Sequence, residues 1–181
     1  IGDRTIARLL ALHLERSAAL TLVTATLPAA EAADFGRLQR GARGKPIAIV
    51  EARDATATKA STVDVNVGMY AFDTGWLRGV LSDLPHHESG EYYVTDLVAM
   101  AVADGQRIES VAVDSVDEAI GVNTRRHLAR AEQAMQMRLR DAAMDAMAVM
   151  HSRIGPNEMR SILTPSLVDE EMHYRLQERF A

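Results

Sequence analysis

The chain has 181 residues, 48% of them hydrophobic and 25% charged, with a formal net charge of −5 and no cysteine. This is the balance of an ordinary soluble globular domain, and it excludes disulfides, thiolate metal sites and cysteine nucleophiles. The net negative charge argues against a nucleic-acid surface, which needs clustered lysine and arginine, so no nucleic-acid partner is expected; lysine occurs only at Lys45 and Lys59, the other basic residues being arginine. No apolar run reaches the roughly 18 residues of a membrane-spanning helix and no basic-apolar leader opens the sequence, so no membrane partner and a cytoplasmic location are expected.

Ile6, Leu9, Leu10 and Leu14 recur at helical spacing and predict an amphipathic helix over 5–17. The run ALTLVTATL at 19–27 is short, apolar and rich in β-branched residues, which predicts a strand stopped by Pro28. A short strand at 36–39, a turn at 41–46 and a strand at 46–51 follow. Residues 63–72 alternate apolar with polar and predict another strand. A short helix is expected at 74–83, a polar loop at 84–91 and a helix over 92–103 closed by Gly105. A strand at 108–113 and a turn at 117–120 lead into a long helix over 124–150, whose apolar stripe runs through Leu128, Ala131, Met135, Leu139, Ala142, Ala146 and Met150 and reads as core or interface. The last thirty residues, with Gly155, Pro156 and Pro165, predict a tail carrying a charged helix over 168–179. Alternating helices and strands make the first 120 residues α/β with a mixed sheet.

Short motifs punctuate this pattern: FGR at 35–37, IAIVEARDAT at 47–56, VNVGMYAF at 65–72, GEYYVTDLV at 90–98 and GVNTR at 121–125. In this order and at this spacing, over residues 1–150, they resemble the second half of the uridylyltransferase domain of bacterial N-acetylglucosamine-1-phosphate uridylyltransferases. GEYYVTD is the most specific of the five. The resemblance implies half of a nucleotide-diphospho-sugar transferase sheet of Rossmann-like type, followed by a long helix and a helical tail. It divides the chain into a sugar-phosphate-binding part (1–123), a linker helix (124–150) and a tail (151–181). The implied reaction joins N-acetylglucosamine 1-phosphate to UTP, with Mg2+ as cofactor, giving UDP-N-acetylglucosamine and pyrophosphate for cell-wall synthesis.

The resemblance assigns roles residue by residue. Gly36 lets the backbone approach the sugar, which a missing side chain permits; standing alone it reads as a turn glycine. Glu51 accepts hydrogen bonds from sugar hydroxyls; otherwise it is a surface ion-pair partner. Asn66 offers donor and acceptor to the hydroxyl and acetamido groups, and an amide inside an apolar strand is costly unless it is used. Tyr93 and Thr95 face the N-acetyl group and sugar, against the plainer alternatives of a core ring and a surface hydroxyl. Asn123 gives magnesium one amide oxygen, against the alternative of a helix cap. His86, His87 and Glu88 are consecutive and lack a spaced partner, which disfavours a transition-metal site.

Two features of the family are not matched. No glycine-rich nucleotide loop with arginine and lysine precedes Ile1, and the spacing does not put Asp3 at the family's metal-binding aspartate. No hexapeptide repeat follows Met150, so acetyl-CoA chemistry is not expected. These 181 residues alone are therefore expected to be inactive, with another segment or another copy of the chain covering the exposed sheet and long helix. The competing expectations are a non-catalytic sugar-phosphate-binding module of the same descent and a related pyrophosphorylase with another sugar.

Overall fold

The structure is a computed structural model describing residues 1–56, 58 and 60–154. The chain divides into two compact units, Ile1–Ala119 and Ile120–Ala181. The first contains α1 (Asp3–Arg16), β1 (Leu20–Pro28), β2 (Arg37–Arg40), β3 (Pro46–Val50), β4 (Thr62–Phe72), α2 (Thr74–Val80), α3 (Asp96–Ala103) and β5 (Ile108–Ala112), and the second contains α4 (Arg125–Ile154). Five strands form one sheet in the order β3-β2-β4-β1-β5. β1 runs antiparallel to β4 and parallel to β5, so the sheet is mixed and the α/β reading holds.

β1 carries the sheet. Its first six residues are buried, and its threonines are tolerated inside because their hydroxyls are engaged: Thr21 Oγ1 lies 3.0 Å from His13 Nδ1, and Thr24 Oγ1 donates to the Val111 carbonyl at 3.5 Å. One face packs Leu20 and Leu22 with Leu97, Val98 and Ala101 of α3, Ile108 of β5, and Leu38 and Ile49 of the β2-β3 hairpin. On the other face α1 lies along β5, β1 and β4. Ala25, Leu27, Ala32, Val65 and Ala119 form a second, smaller cluster.

Several elements differ from the sequence reading in ways that have a physical cause. The first helix forms as expected, but it buries Thr5 and Leu9 and leaves Ile6, Leu10 and Leu14 exposed. Two apolar stripes compete on that helix, and docking on β1 selects the one that brings His13 to Thr21. The helix expected over 92–103 starts only at Asp96, because Tyr92 pairs with His86 in an isolated antiparallel bridge. The segment expected as a helix at 74–83 is α2 followed by a 3-10 turn at Leu81–Asp83. Asp73 starts it as an N-cap, its Oδ1 accepting from the Trp76 amide at 2.8 Å, a contact of the kind that contributes about 1 kcal/mol.

α4 runs to Ile154, past the expected end at 150. Its side chains at Leu128, Met135, Leu139 and Met150 are exposed, whereas Met144 and Met147 are buried, so the expected stripe is not the buried one. The helix expected over 168–179 lies outside the described residues. No helix among the described residues is long and apolar enough to cross a membrane.

Leu22 is fully buried and Leu14 is 74% exposed, which sets up a direct comparison. Leu22→Ala should lower the unfolding free energy by about 2–5 kcal/mol through lost burial and a residual cavity. Leu14→Ala should change it by less than about 0.5 kcal/mol. Urea titration followed by circular dichroism measures both.

Candidate functional site

The middle of β4 is irregular. Leu22 pairs with Tyr70 but Thr24 pairs with Asn66, so Val67, Gly68 and Met69 stand opposite the single residue Val23. Gly68 adopts φ +83°, a left-handed conformation that glycine enters without steric cost. The Asn66 side-chain oxygen accepts from the Gly68 amide at 3.1 Å and stabilises the bulge. The Asn66 backbone amide donates to the Gly36 carbonyl at 2.9 Å, which ties the bulge to the residue preceding β2.

At Gly36 the chain runs so close to β3 that an added Cβ would sit 2.8 Å from Ile49 Cγ2 and 3.9 Å from Glu51 Oε2. Packing against Ile49 thus requires a glycine at this position. Glu51, half-buried just beyond β3, accepts a 2.5 Å hydrogen bond from the Thr95 hydroxyl. Thr95 is buried and precedes α3 directly, so this carboxylate stands at a helix N-terminus, where the dipole favours negative charge. Thr95 is therefore not a surface hydroxyl.

Tyr93 is partly buried on the loop leading to α3. Its hydroxyl donates to Glu91 Oε2 at 3.2 Å and lies 2.7 Å from Ser89 Oγ. The Arg53 guanidinium sits 4.9 Å from its ring centroid, and the His87 ring centroid is 4.2 Å away. Hydrogen bonds from Arg53 and then from Tyr93 hold the Glu91 carboxyl below its usual range. His87 Nε2 is 2.6 Å from Asp96 Oδ2, so this histidine braces the loop. Among the described residues no group of three or more His, Cys, Asp or Glu side chains could hold a metal ion.

Gly36 and Asn66 are thus hydrogen-bonded to each other, as are Glu51 and Thr95, the two pairs lie close together at Gly36 and Glu51, and Tyr93 joins them through its loop. Asn123 belongs to the second unit. It is exposed and does not cap α4: the cap is Thr124, whose Oγ1 accepts from the His127 amide at 3.1 Å. The structure therefore overturns the helix-cap alternative for Asn123. A separate open groove between β2 and the start of β4 is lined by Thr26, Arg37, Arg40 and Asp64, and none of the five site residues in the first unit lines it.

Tyr70, which the sequence reading did not single out, belongs to the same corner. Its hydroxyl is buried, with the Asn66 side chain beside it but outside hydrogen-bond geometry. Burial, with Glu51 nearby, pushes its pKa up to about 12 against a weaker opposing contribution from Asn66. The signal available in sequence was its place four residues beyond Asn66, an even spacing that puts both on one face of a strand. Because the folded pKa lies above the ordinary 10.0, the stabilising contribution is complete below pH 10 and disappears as pH rises toward 12. Absorbance titration of the phenolates should show one late component, missing in Tyr70→Phe.

No family model matches the chain. The chain is similar to proteins named bifunctional protein GlmU: 39% identical over 135 residues to that of Chromobacterium violaceum, covering 74% of this chain and 30% of the relative. It is 39% identical over 140 residues to that of Mycolicibacterium vanbaalenii, covering 77% and 28%. It is 35% identical over 147 residues to that of Syntrophotalea carbinolica, covering 81% and 31%. The chain spans about 30% of the length of these relatives, and its likeness to proteins named GlmU extends over about three quarters or more of its own length.

Proposed function

We propose that this chain is the sugar-phosphate side of a uridylyltransferase that makes UDP-N-acetylglucosamine and pyrophosphate from UTP and N-acetylglucosamine 1-phosphate. One observation carries the reading. Residues from four separate motifs come together at one corner of the sheet: Asn66 bonds to Gly36, Thr95 bonds to Glu51, and a side chain added at Gly36 would come within 3.9 Å of the Glu51 carboxylate. The family resemblance supplies the reaction class. With about 30% of the relatives' length present, the role assigned to these residues is sugar-phosphate binding, and the complete transfer belongs to the longer family members.

In that reaction a phosphate oxygen of the sugar attacks the α-phosphorus of UTP in line, and pyrophosphate leaves with the electrons of the broken bond. No covalent enzyme intermediate is needed, so catalysis rests on positioning and on charge neutralisation. In our reading Gly36 leaves room for the sugar at the backbone, Glu51 accepts from its hydroxyls, Asn66 addresses the hydroxyl and acetamido groups, and Tyr93 lies against the N-acetyl group. Thr95 keeps the Glu51 carboxylate aimed by donating to one of its two oxygens, which leaves the other for the ligand.

Asn123 fits a role as a magnesium ligand: its amide is exposed and the helix cap does not need it. Magnesium favours hard oxygen ligands and retains waters and substrate phosphates, so one amide oxygen from this chain suits it. When bound, the ion neutralises charge on the phosphates. A cytoplasmic setting is part of the same reading, since nucleotide sugars for wall precursors are made there.

Isothermal titration of the 181-residue chain tests the assignment. N-acetylglucosamine 1-phosphate should bind in preference to glucose 1-phosphate. Glu51→Ala should weaken binding of both by about tenfold or more, the scale of a lost hydrogen bond to a charged group. Asn66→Ala should erode the preference for the acetylated sugar. Unchanged affinity in Glu51→Ala would sink the assignment of the sugar to this corner.

A further inference from the structure

The loop that carries Tyr93 is held by contacts that its fold alone does not require. The His87 amide donates to the Glu91 carbonyl at 3.1 Å and the Gly90 amide to the His87 carbonyl at 2.9 Å, so the backbone turn closes without help from side chains. Four side chains converge on Tyr93, one of them Ser89, whose Oγ lies 2.7 Å from the phenol hydroxyl. Arg53 places its guanidinium 4.9 Å from the Tyr93 centroid and bonds Glu91 at 3.2 Å. His87 packs its ring 4.2 Å from Tyr93 while its Nε2 meets Asp96 at 2.6 Å. Glu91 accepts from both Arg53 and the Tyr93 hydroxyl.

Exposed ion pairs and exposed cation–π contacts stabilise folds only weakly, because solvent screens them and ordering a long side chain costs entropy. What such contacts do supply is orientation: a phenol restrained at its ring and its hydroxyl has few rotamers left. Arg53 lies two residues beyond Glu51, and Tyr93 two before Thr95. The Glu51–Thr95 hydrogen bond and the Arg53–Tyr93 contact therefore bridge the same two segments side by side.

We propose that Arg53 and His87 are specificity-determining positioning residues, which hold the Tyr93 ring in one orientation beside Glu51 and Thr95 and thereby set the preference for a sugar carrying an N-acetyl group. This rests on the preceding reading of the corner as a sugar-phosphate site. The imidazole is fixed by Asp96 at the first residue of α3, so ring orientation is referred to the helix that packs on β1. Arg53 refers it to the end of β3. Two anchors on different elements define the ring plane better than either could alone.

The test is the affinity of the 181-residue chain for N-acetylglucosamine 1-phosphate and for glucose 1-phosphate, which lacks the acetamido group. Arg53→Ala and His87→Ala should each weaken binding of the acetylated sugar about three- to tenfold, the range a lost cation–π or ring contact implies. Affinity for glucose 1-phosphate should stay within about twofold. Arg53→Lys, which keeps a cation for Tyr93 and Glu91, should restore most of the preference. Equal losses for the two sugars would mean that the contacts only maintain the fold, and an unchanged preference would mean that they do not aim the ring; either result overturns the proposal. A wild-type chain that binds neither sugar phosphate overturns the reading of the site itself, an outcome distinct from variants that keep the wild-type preference.

Discussion

Strand β1 has almost no residue in water along its first eight positions, and the first unit is organised around that requirement. A strand buried on both faces needs a layer on each side and a strand along each edge, and it receives α1 and α3 as layers and β4 and β5 as neighbours. Its interior polar atoms must be paired, since an orphaned hydroxyl costs about 1–3 kcal/mol in such a place. Thr21 and Thr24 comply through His13 and the Val111 carbonyl. Packing α3 against Leu20 and Leu22 fixes where that helix begins, and so fixes Thr95.

From there the site follows. Thr95 faces Glu51 across 44 residues of sequence separation, at 2.5 Å. This single bond joins the start of α3 to the end of β3 and leaves one carboxylate oxygen uncommitted by it. Tyr70 is the buried neighbour of this corner: its phenol is held neutral by burial, with Asn66 and Glu51 beside it.

Four of the five strands were legible because β-branched and apolar residues alternate or cluster between glycines and prolines, whereas β2, with the sequence RLQR, carries no such run. Helix faces were not legible. On α1 the stripe of Ile6, Leu10 and Leu14 is as periodic as that of Thr5 and Leu9, and only the position of His13 over Thr21 decides between them. The start of α3 was misread because Tyr92, Tyr93 and Val94 continue an apolar pattern, while the His86–Tyr92 bridge that keeps them extended is not written in periodicity. Gly36, Glu51, Asn66 and Thr95 were reached through motifs, and their convergence needed the fold. Arg53, His87 and Tyr70 were missed as site residues because each acts through a contact made in space.

The irregularity in β4 inserts two residues. Extra residues in one strand are absorbed by a local kink rather than by a slip of the whole ladder, and here Gly68, at φ +83°, lets the strand arch while pairing resumes on either side at Leu22–Tyr70 and Thr24–Asn66. The arch therefore hangs on one left-handed residue, and any side chain at position 68 would strain the backbone midway between the two polar groups of the corner.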